Sequence, residues 1–318
     1  MKNINAIYTS QCPTSSIFQK IIYPQLRKQI PVWTKETIYL TECVDTRSDF
    51  FSISARMYAD TIYYLDYRHW YYDDTVFEKY CKKTTELKPK YLSVFDNPFD
   101  YERPWKVDYK TFSVKLQERT NILVDIIKTE CPETLLIAPK ISVLFHDFKE
   151  VYKNYLDLNA DKFDFFSVLC ANDMSDICIG DISSTLIDLN KNRNKPILLF
   201  TSIPCKISED TKIDRNTNHT FKPFTDKEAE VKLNQIYLFF TYIQKDVKLF
   251  YFGIDKDQYN PNIEPNSFDF WNNTLPVNVH INDYVWNWYH YLGLCSYDDK
   301  VKVYLLKSLL DLAKNYNV

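Results

Sequence analysis

The sequence predicts an α/β protein folded as a single (β/α)8 barrel of the TIM type, with long loops at the carboxyl ends of its strands. Short β-branched and aromatic runs alternate with longer helix-period segments eight times along the 318 residues. Each repeat takes roughly 30 to 40 residues, as a strand, a helix and their loops require. Such alternation implies right-handed crossovers and a parallel sheet.

The predicted strands are runs of about 5 to 8 apolar and β-branched residues. In chain order they cover residues 4–10, 37–43, 61–67, 90–95, 134–141, 163–170, 196–201 and 247–254. Helix-period segments follow them, around residues 17–26, 50–58, 73–80, 112–127, 146–158, 182–189, 226–244 and 303–312. Ser15 and Ser16 are available to cap the first helix, Asp73 and Asp74 open the third, and Pro132 ends the fourth.

One barrel with long loops accounts for the whole length, so residues 1–318 are predicted to form one domain without a linker. An open doubly wound sheet is the alternative fold. It usually contains fewer units, and no glycine-rich turn follows the first strand. Two long segments are expected to lie outside the regular elements: the polar stretch 206–223 as a mobile loop, and the stretch 258–297 as a lid or rim.

The net charge and the length of the apolar runs indicate which classes of partner and location to expect. The net charge of −3 gives no electrostatic reason to expect nucleic acid or an anionic membrane. No apolar run approaches the roughly 20 residues that span a bilayer, and the N-terminus lacks a secretory apolar region. We therefore expect a cytoplasmic or otherwise unexported protein, with a virion as the other possible location.

The spacing of the cysteines and histidines and the small number of glycines argue against several kinds of binding site. The 8 cysteines lack CxxC spacing and are expected to be buried, reduced thiols. The presence of only 3 glycines argues against a phosphate or nucleotide site, which needs close backbone approach to the ligand. No His-x-His follows the first strand, so neither a metal ion nor a cofactor is predicted.

Polar and aromatic residues crowd the predicted carboxyl ends of the strands, where barrel ligands bind. Charged groups there favour a wet cleft, because burying them unpaired costs free energy. The charged residues at strand ends include Asp66, Arg68, His69, Asp96, Lys140, Asp173 and Asp255. Trp70, Trp105 and Trp271 fall mainly in predicted loops, and their flat apolar faces with a polar edge suit sugar rings. Carbohydrate is therefore the expected partner.

The segment Val94-Phe95-Asp96-Asn97-Pro98 at strand four resembles the barrel glycosidases related to cellulases and β-galactosidases. Those enzymes typically carry Asn-Glu-Pro there, which supplies the general acid, and a second Glu at the end of strand seven as the nucleophile. Strand seven here begins after Lys195-Pro196 and ends in Thr201-Ser202. The resemblance implies a barrel with a carbohydrate cleft. It aligns Asn97 with the acid and Ser202 with the nucleophile, and neither can do a carboxylate's chemistry.

Two functional hypotheses follow. The first is a glycosidase with moved carboxylates, since hydrolysis needs one protonated and one ionised carboxyl group. Asp96 and Asp173 would form that pair, and Asp66 is a further partner whose neighbours Arg68 and His69 can tune it. The second is a pseudoenzyme that binds a glycan, or a structural protein with protein partners in a virion or surface assembly. Loss of both expected glutamates favours the second hypothesis, and the acids kept at the rim favour the first.

Overall fold

The computed structural model describes residues 6–9, 32–37, 60–64, 74–95, 109–142, 149–171, 176–202, 205–207, 221–244, 246–256, 293–296 and 300–314. Its strands are β1 (Ala6–Thr9), β2 (Val32–Thr37), β3 (Asp60–Tyr64), β4 (Tyr91–Ser93), β5 (Leu135–Ile137), β6 (Ile141–Ser142), β7 (Phe166–Ala171), β8 (Ile197–Ser202), β9 (Cys205–Ile207), β10 (Phe221–Pro223), β11 (Val247–Lys256) and β12 (Gly293–Cys295). Its helices are α1 (Asp74–Leu87), α2 (Tyr109–Glu130), α3 (Lys149–Asn159), α4 (Asp176–Asn190), α5 (Asp226–Ile243) and α6 (Val303–Lys314). Strands and helices alternate, so the predicted α/β class is confirmed.

A parallel sheet joins ten of these strands. The order of neighbours is β5-β4-β3-β2-β1-β11-β8-β7-β6, and β12 pairs in parallel with the far end of β11. The first strand lies in the middle of this order, between β2 and β11. Parallel neighbours need a connection that returns over the sheet, and helices α1 to α5 supply this where the structure describes it.

Residues 135–142 are hydrogen-bonded to neighbours on both sides. Strand β5 pairs with β4, whereas Ile137 bridges to Phe165 and Ile141 lies opposite Val168 in β7. Both ends of the strand order therefore meet on one stretch of chain. Between those two contacts, residues 138–140 lie opposite residues 166–167, which is the three-against-two count of a β-bulge. Pro139 is in this bulge, where the absence of an N–H group is tolerated.

The two faces of the sheet are covered differently. Side chains on one face pack with the helices into the main core, which includes Ile197 and Leu199 of β8. The alternate residues Leu198 and Phe200 face the other way, as the two-residue period of a strand requires. This second face carries a smaller cluster, here called the inner-face cluster, of Ile137, Phe165, Leu198 and Phe200, with Tyr91, Leu135 and Leu169 packed against it.

Helices α5 and α6 are joined by a shared cap. Helix α5 begins with a capping box, in which Thr225 accepts from the Glu228 backbone and Glu228 accepts from the Thr225 backbone. The carboxylate of Asp226, in the first turn of α5, accepts the backbone N–H groups of Tyr304 and Leu305 at 2.8 Å each. One side chain of α5 therefore satisfies the first free donors of α6.

Two residues other than glycine adopt a left-handed backbone conformation in this glycine-poor chain. Lys88, directly after α1, and Asn194, beyond the end of α4, each have a φ of 48°. This left-handed region normally favours glycine, and Asn adopts it more readily than Lys. Lys88 is held there by its backbone N–H, which donates to the Thr84 carbonyl oxygen at 3.0 Å.

Several predicted boundaries are wrong. The second strand begins at Val32 and not at Thr37, and its register against Ile7 and Asp60 fixes it there, whereas residues 38–43 lie outside the described residues. The bulge divides the predicted strand 134–141 into β5 and β6. The predicted loop 206–223 has strands at both ends, since β9 and β10 pair antiparallel. The predicted strand 247–254 is longer than expected and ends at Lys256, because its final residues pair with β12.

Four of the cysteines are described with their side chains, and they match the prediction. Cys81, Cys131, Cys170 and Cys295 are buried free thiols. Burial raises the pKa of Cys81 to about 11 and also raises the pKa of Cys170, so both thiols are protonated at neutral pH. None of the helices in the described ranges is long and apolar enough to cross a membrane.

Candidate functional site

The carboxyl ends of the parallel strands form the natural ligand face of such a sheet. At this end the structure describes Phe95 beyond β4, Lys140 in the bulge, Ala171 at the end of β7 and Ser202 at the end of β8. The backbones of Ala171 and Ser202 lie opposite each other in the β7–β8 ladder. These positions mark the edge from which the rim loops leave the sheet.

Lys140 is a buried cation on the inner face. It is only 7% exposed, and its Nζ lies 4.8 Å from the centroid of the Phe200 ring. A cation over an aromatic face in a desolvated setting is stabilised by roughly 2 kcal/mol. The bulge explains the position of Lys140. Ile137 packs in the inner-face cluster, whereas Ile141, four residues later, packs with the helices. An unbroken strand would have kept these two residues on one face.

Ser93 ends β4 on the same face as Tyr91, because Leu92 between them packs with the helices. It is 3% exposed, and its hydroxyl oxygen has no hydrogen-bond partner. The hydrogen bonding between β4 and β5 continues past Ser93, since the Val94 N–H donates to the Ile137 carbonyl oxygen at 3.1 Å. A buried, unpaired hydroxyl costs about 1 to 3 kcal/mol, so this position is unusual for a purely structural serine.

Ser167 on β7 is the contrasting case. It is 1% exposed, and its hydroxyl donates to the Ala138 carbonyl oxygen at 2.8 Å. Ala138 is the first residue of the bulge, and its own N–H donates to the Phe165 carbonyl oxygen at 2.9 Å. These two bonds fix the bulge against β7 and so fix the backbone next to Lys140.

The amino ends of the same strands carry a network of polar contacts with a structural role. Lys195, just before β8, donates from Nζ to the carbonyl oxygens of Ala160, at 2.7 Å, and Phe163. Burial lowers the pKa of Lys195, and the nearby Asp161 and Asp164 oppose that effect. Asp161 pairs with Arg193 at 2.8 Å, and this hydrogen bond lowers the pKa of the carboxyl group. Contacts at the amino ends of parallel strands lie away from the usual ligand face and serve stability.

Most residues predicted for the site lie outside the described residues. These are Asp66, Arg68, His69, Trp70, Asp96, Asn97, Trp105, Asp173 and Trp271. Ser202 and Asp255 are described in their backbones. Ser202 ends β8 as predicted. Asp255 lies within β11 and not after it, between Ile254 and Lys256, which pair with β12.

Sequence reasoning noticed Lys140 as a strand-end residue but missed Ser93. The signal for Ser93 was a lone hydroxyl in the apolar run Tyr91-Leu92-Ser93-Val94-Phe95, three residues before Asp96. Within the described ranges, no group of three or more His, Cys, Asp and Glu side chains could hold a metal ion.

No protein-family model matches the sequence, and no curated protein matches it. Solved structures do match. A thermostable mutant of the xylanase Xyn10A from Cellvibrio japonicus aligns with a TM-score of 0.63 at 11% identity, over 98% of each chain. The GH10 xylanase from Thermobacillus composti aligns with a TM-score of 0.56 at 11% identity, over 97% of this chain and 96% of its own.

A third structure is a mutant of Xylanase10C from Cellvibrio japonicus in complex with xylopentaose. It aligns with a TM-score of 0.59 at 9% identity, over 99% of this chain and 68% of its own. The chain shares the fold of these xylanases. The resemblance to barrel glycosidases is therefore confirmed for the fold, across nearly the whole sequence.

Proposed function

We propose that residues 1–318 form one (β/α)8 barrel that binds carbohydrate at the carboxyl ends of its strands and hydrolyses a glycosidic bond there. Closure of the sheet is supported by residues 135–142, which pair with β4 on one side and β7 on the other. The single observation that carries the function is the xylanase fold over 98% of the chain. One such xylanase is in complex with xylopentaose, which makes an oligosaccharide the natural class of ligand to test.

Asp96 and Asp173 remain the proposed carboxyl pair. Asp96 directly follows Phe95, beyond β4, and Asp173 comes two residues after the end of β7. Only the stretch 135–142 separates these strands in the order of neighbours, so two strand spacings of about 4.8 Å put their ends roughly 10 Å apart. Side chains converging from that separation can span the roughly 5 to 9.5 Å that retaining and inverting hydrolysis need. Asp66 would follow β3, the other neighbour of β4.

The remaining predicted residues are proposed to bind substrate. Trp70, Trp105 and Trp271 would stack on sugar rings, because an aromatic face suits the apolar face of a pyranose. Arg68, His69, Asn97, Ser202 and Asp255 would supply hydrogen bonds to hydroxyl groups.

Binding without hydrolysis is the second candidate function. It is favoured by Asn97 and Ser202, which occupy the positions where the resemblance expects two glutamates. A protein of this kind would keep the cleft and its aromatic platforms but lack the carboxyl chemistry.

One experiment tests both candidates. Release of reducing ends and equilibrium binding are measured on the same panel of soluble polysaccharides, beginning with xylan and xylo-oligosaccharides. We expect Asp96→Asn and Asp173→Asn to lose turnover by a factor of at least about 100, as loss of a general acid or base does, while binding persists. Asp157→Asn is the matched control, since this carboxylate pairs with Arg193 beside the amino ends of the strands.

Each outcome has a distinct meaning. Turnover that disappears in the two variants but not in the control supports the hydrolase. Binding with no turnover in the unmodified protein supports the glycan-binding barrel. Turnover unchanged in Asp96→Asn would reject that residue, and a protein that neither binds nor cleaves any glycan would reject the proposed function.

A further inference from the structure

The outward face of α5 carries a row of side chains, here called the α5 stripe, made of Val231, Gln235, Leu238 and Tyr242. All four are exposed. Their spacing of four, three and four residues keeps them on one side of a helix, as at the seam positions of a coiled coil. The buried residues of α5 are Ala229, Leu233, Ile236, Tyr237 and Phe240. The stripe lies on the other side of the helix from these, since two residues turn a helix by about 200°.

The apolar side chains of the stripe are well exposed. Tyr242 is 93% exposed and Leu238 is 62% exposed. Phe239, next to Leu238, is 37% exposed, and its ring is perpendicular to that of the buried Phe240, with the ring centroids 5.5 Å apart. With Val231, α5 has four exposed large apolar side chains, whereas each of the other described helices has at most two. Single exposed apolar residues are ordinary, but a contiguous group of them marks a surface that binds a partner.

Charge is absent from the part of α5 that carries most of this surface. Residues 233–244 contain no Asp, Glu, Lys or Arg, whereas five of the first seven residues of the helix are charged. At that charged end, Lys227 pairs with Glu230 at 2.6 Å within the helix. Depletion of charge together with aromatic side chains is the composition of the core of a protein–protein interface. An uncharged face carries no pattern that would select an oppositely charged partner, and it meets a copy of itself without like-charge repulsion.

We propose that the α5 stripe is the contact surface between two copies of this chain, which pair through α5 about a twofold axis beside Leu238. A twofold contact is self-complementary, so each copy contributes the same residues. Leu238 lies in the middle of the uncharged stretch 233–244 and faces the Leu238 of the second copy. The two helices run antiparallel, because that arrangement places the positive end of one helix dipole beside the negative end of the other. This proposal is independent of the proposed carbohydrate function.

The area of the stripe sets the strength of the dimer. A fully exposed aromatic side chain offers roughly 150 to 250 Å², and on that scale the stripe and Phe239 together offer roughly 500 Å² in each copy. The two copies together bury about 1,000 Å², which is at the lower limit for a specific interface. We therefore expect a reversible dimer with a Kd in the micromolar range, about 1 to 100 μM.

Sedimentation velocity of the full-length protein between about 1 and 200 μM tests this association. The mass should rise from that of one chain to that of two as the concentration increases. Leu238→Glu should weaken dimerisation by at least about tenfold, because it places two negative charges against each other at the axis. Leu158→Glu is the matched control and should dimerise like the unmodified chain. Leu158 is a leucine with 71% exposure on α3, and it is the one exposed large apolar residue described on that helix.

A crosslink keeps the test decisive if Leu238→Glu fails to fold. In a twofold contact a cysteine at the axis meets its own copy, so Leu238→Cys should give a disulfide-linked dimer on oxidation with copper–phenanthroline. Leu158→Cys should give no more linked dimer than the unmodified chain. A chain that stays monomeric at every concentration would overturn the proposal, and so would a dimer that Leu238→Glu leaves unchanged. Absence of the Leu238→Cys crosslink in a protein that dimerises would overturn the position of the axis.

Discussion

Ser93 and Ser167 are buried serines on strands of the same sheet, and their hydroxyl groups are in opposite states. Ser167 donates to the Ala138 carbonyl oxygen, whereas Ser93 makes no hydrogen bond. Removing a paired hydroxyl leaves the other partner unsatisfied, while removing an unpaired one relieves a desolvation cost. The Ser167 hydroxyl therefore stabilises the fold through its bond to Ala138, whereas the Ser93 hydroxyl makes no such contribution.

We expect Ser93→Ala to leave the free energy of unfolding unchanged or to raise it by about 1 kcal/mol, because a buried unpaired hydroxyl is removed. Ser167→Ala should lower it by about 1 kcal/mol, because the Ala138 carbonyl oxygen loses its donor. Urea unfolding followed by circular dichroism measures both changes. A Ser93→Ala variant less stable than Ser167→Ala would mean that Ser93 has a structural partner.

At the scale of elements, the shared cap between α5 and α6 is the clearest case of one side chain serving two helices. Asp226 belongs to the first turn of α5 and accepts the N–H groups of Tyr304 and Leu305 in α6. Ser308 of α6 also donates to the Asn234 side chain of α5 at 3.1 Å. The last described helix is thus held by polar contacts as well as by its buried leucines.

Asp226→Ala should lower the free energy of unfolding by about 1 to 2 kcal/mol, the usual cost of losing an N-terminal cap. The loss should be local at first, with faster amide hydrogen exchange in α6 than in α2. Asp125→Ala, an exposed position on α2, is the control and should change stability by less than about 0.5 kcal/mol. Exchange in α6 that is identical in the variant and the unmodified chain would contradict this role.

The sequence predicted the starts of strands well where the strand is a continuous apolar run. Strand β8 is a nearly continuous apolar run whose alternate residues pack on the two faces of the sheet, and the predicted starts of β8 and β11 differ from the observed ones by at most one residue. The start of the second strand was predicted five residues too late because residues 37–43 are richer in apolar residues than Val32–Thr37, which contains Lys35 and Glu36. Pairing with β1 and β3 decides that register, and strand propensity yields to such contacts.

The candidate site was predicted only in outline. Lys140 was recognised as a strand-end residue, but its burial depends on the bulge, which arises from the register of β6 against β7. Pro139 was the local signal, since proline inside a strand marks a bulge or an edge. The unpaired state of Ser93 depends on what surrounds it in three dimensions, so no one-dimensional pattern reveals it.

At the scale of the whole molecule, β1 connects two halves of the sheet. It pairs with β2, which leads to β3, β4 and β5, and with β11, which leads to β8 and β7. The only other pairing that links the halves is the one made by residues 135–142, among the strands that the structure describes. The N-terminal strand therefore has a larger effect on cooperativity than its length of four residues suggests.

Deleting residues 1–9 should abolish a single cooperative unfolding transition and promote aggregation, because the deletion exposes two parallel strand edges in the middle of the sheet. A chain lacking only residues 1–4 keeps β1 and is the control. Unfolding curves and size-exclusion chromatography distinguish the two chains. A soluble, cooperatively folding protein without residues 1–9 would show that the two halves hold together without this joint.

The contacts around Lys195 and Arg193 are all made at the amino ends of the strands, away from the rim. Substitutions in the rim loops therefore leave this network untouched, and the loops can change their chemistry without loss of the scaffold. Selection can alter ligand and activity at one end while purifying selection maintains the other. Such modularity is compatible with a chain that shares the fold of the xylanases at only about 11% sequence identity.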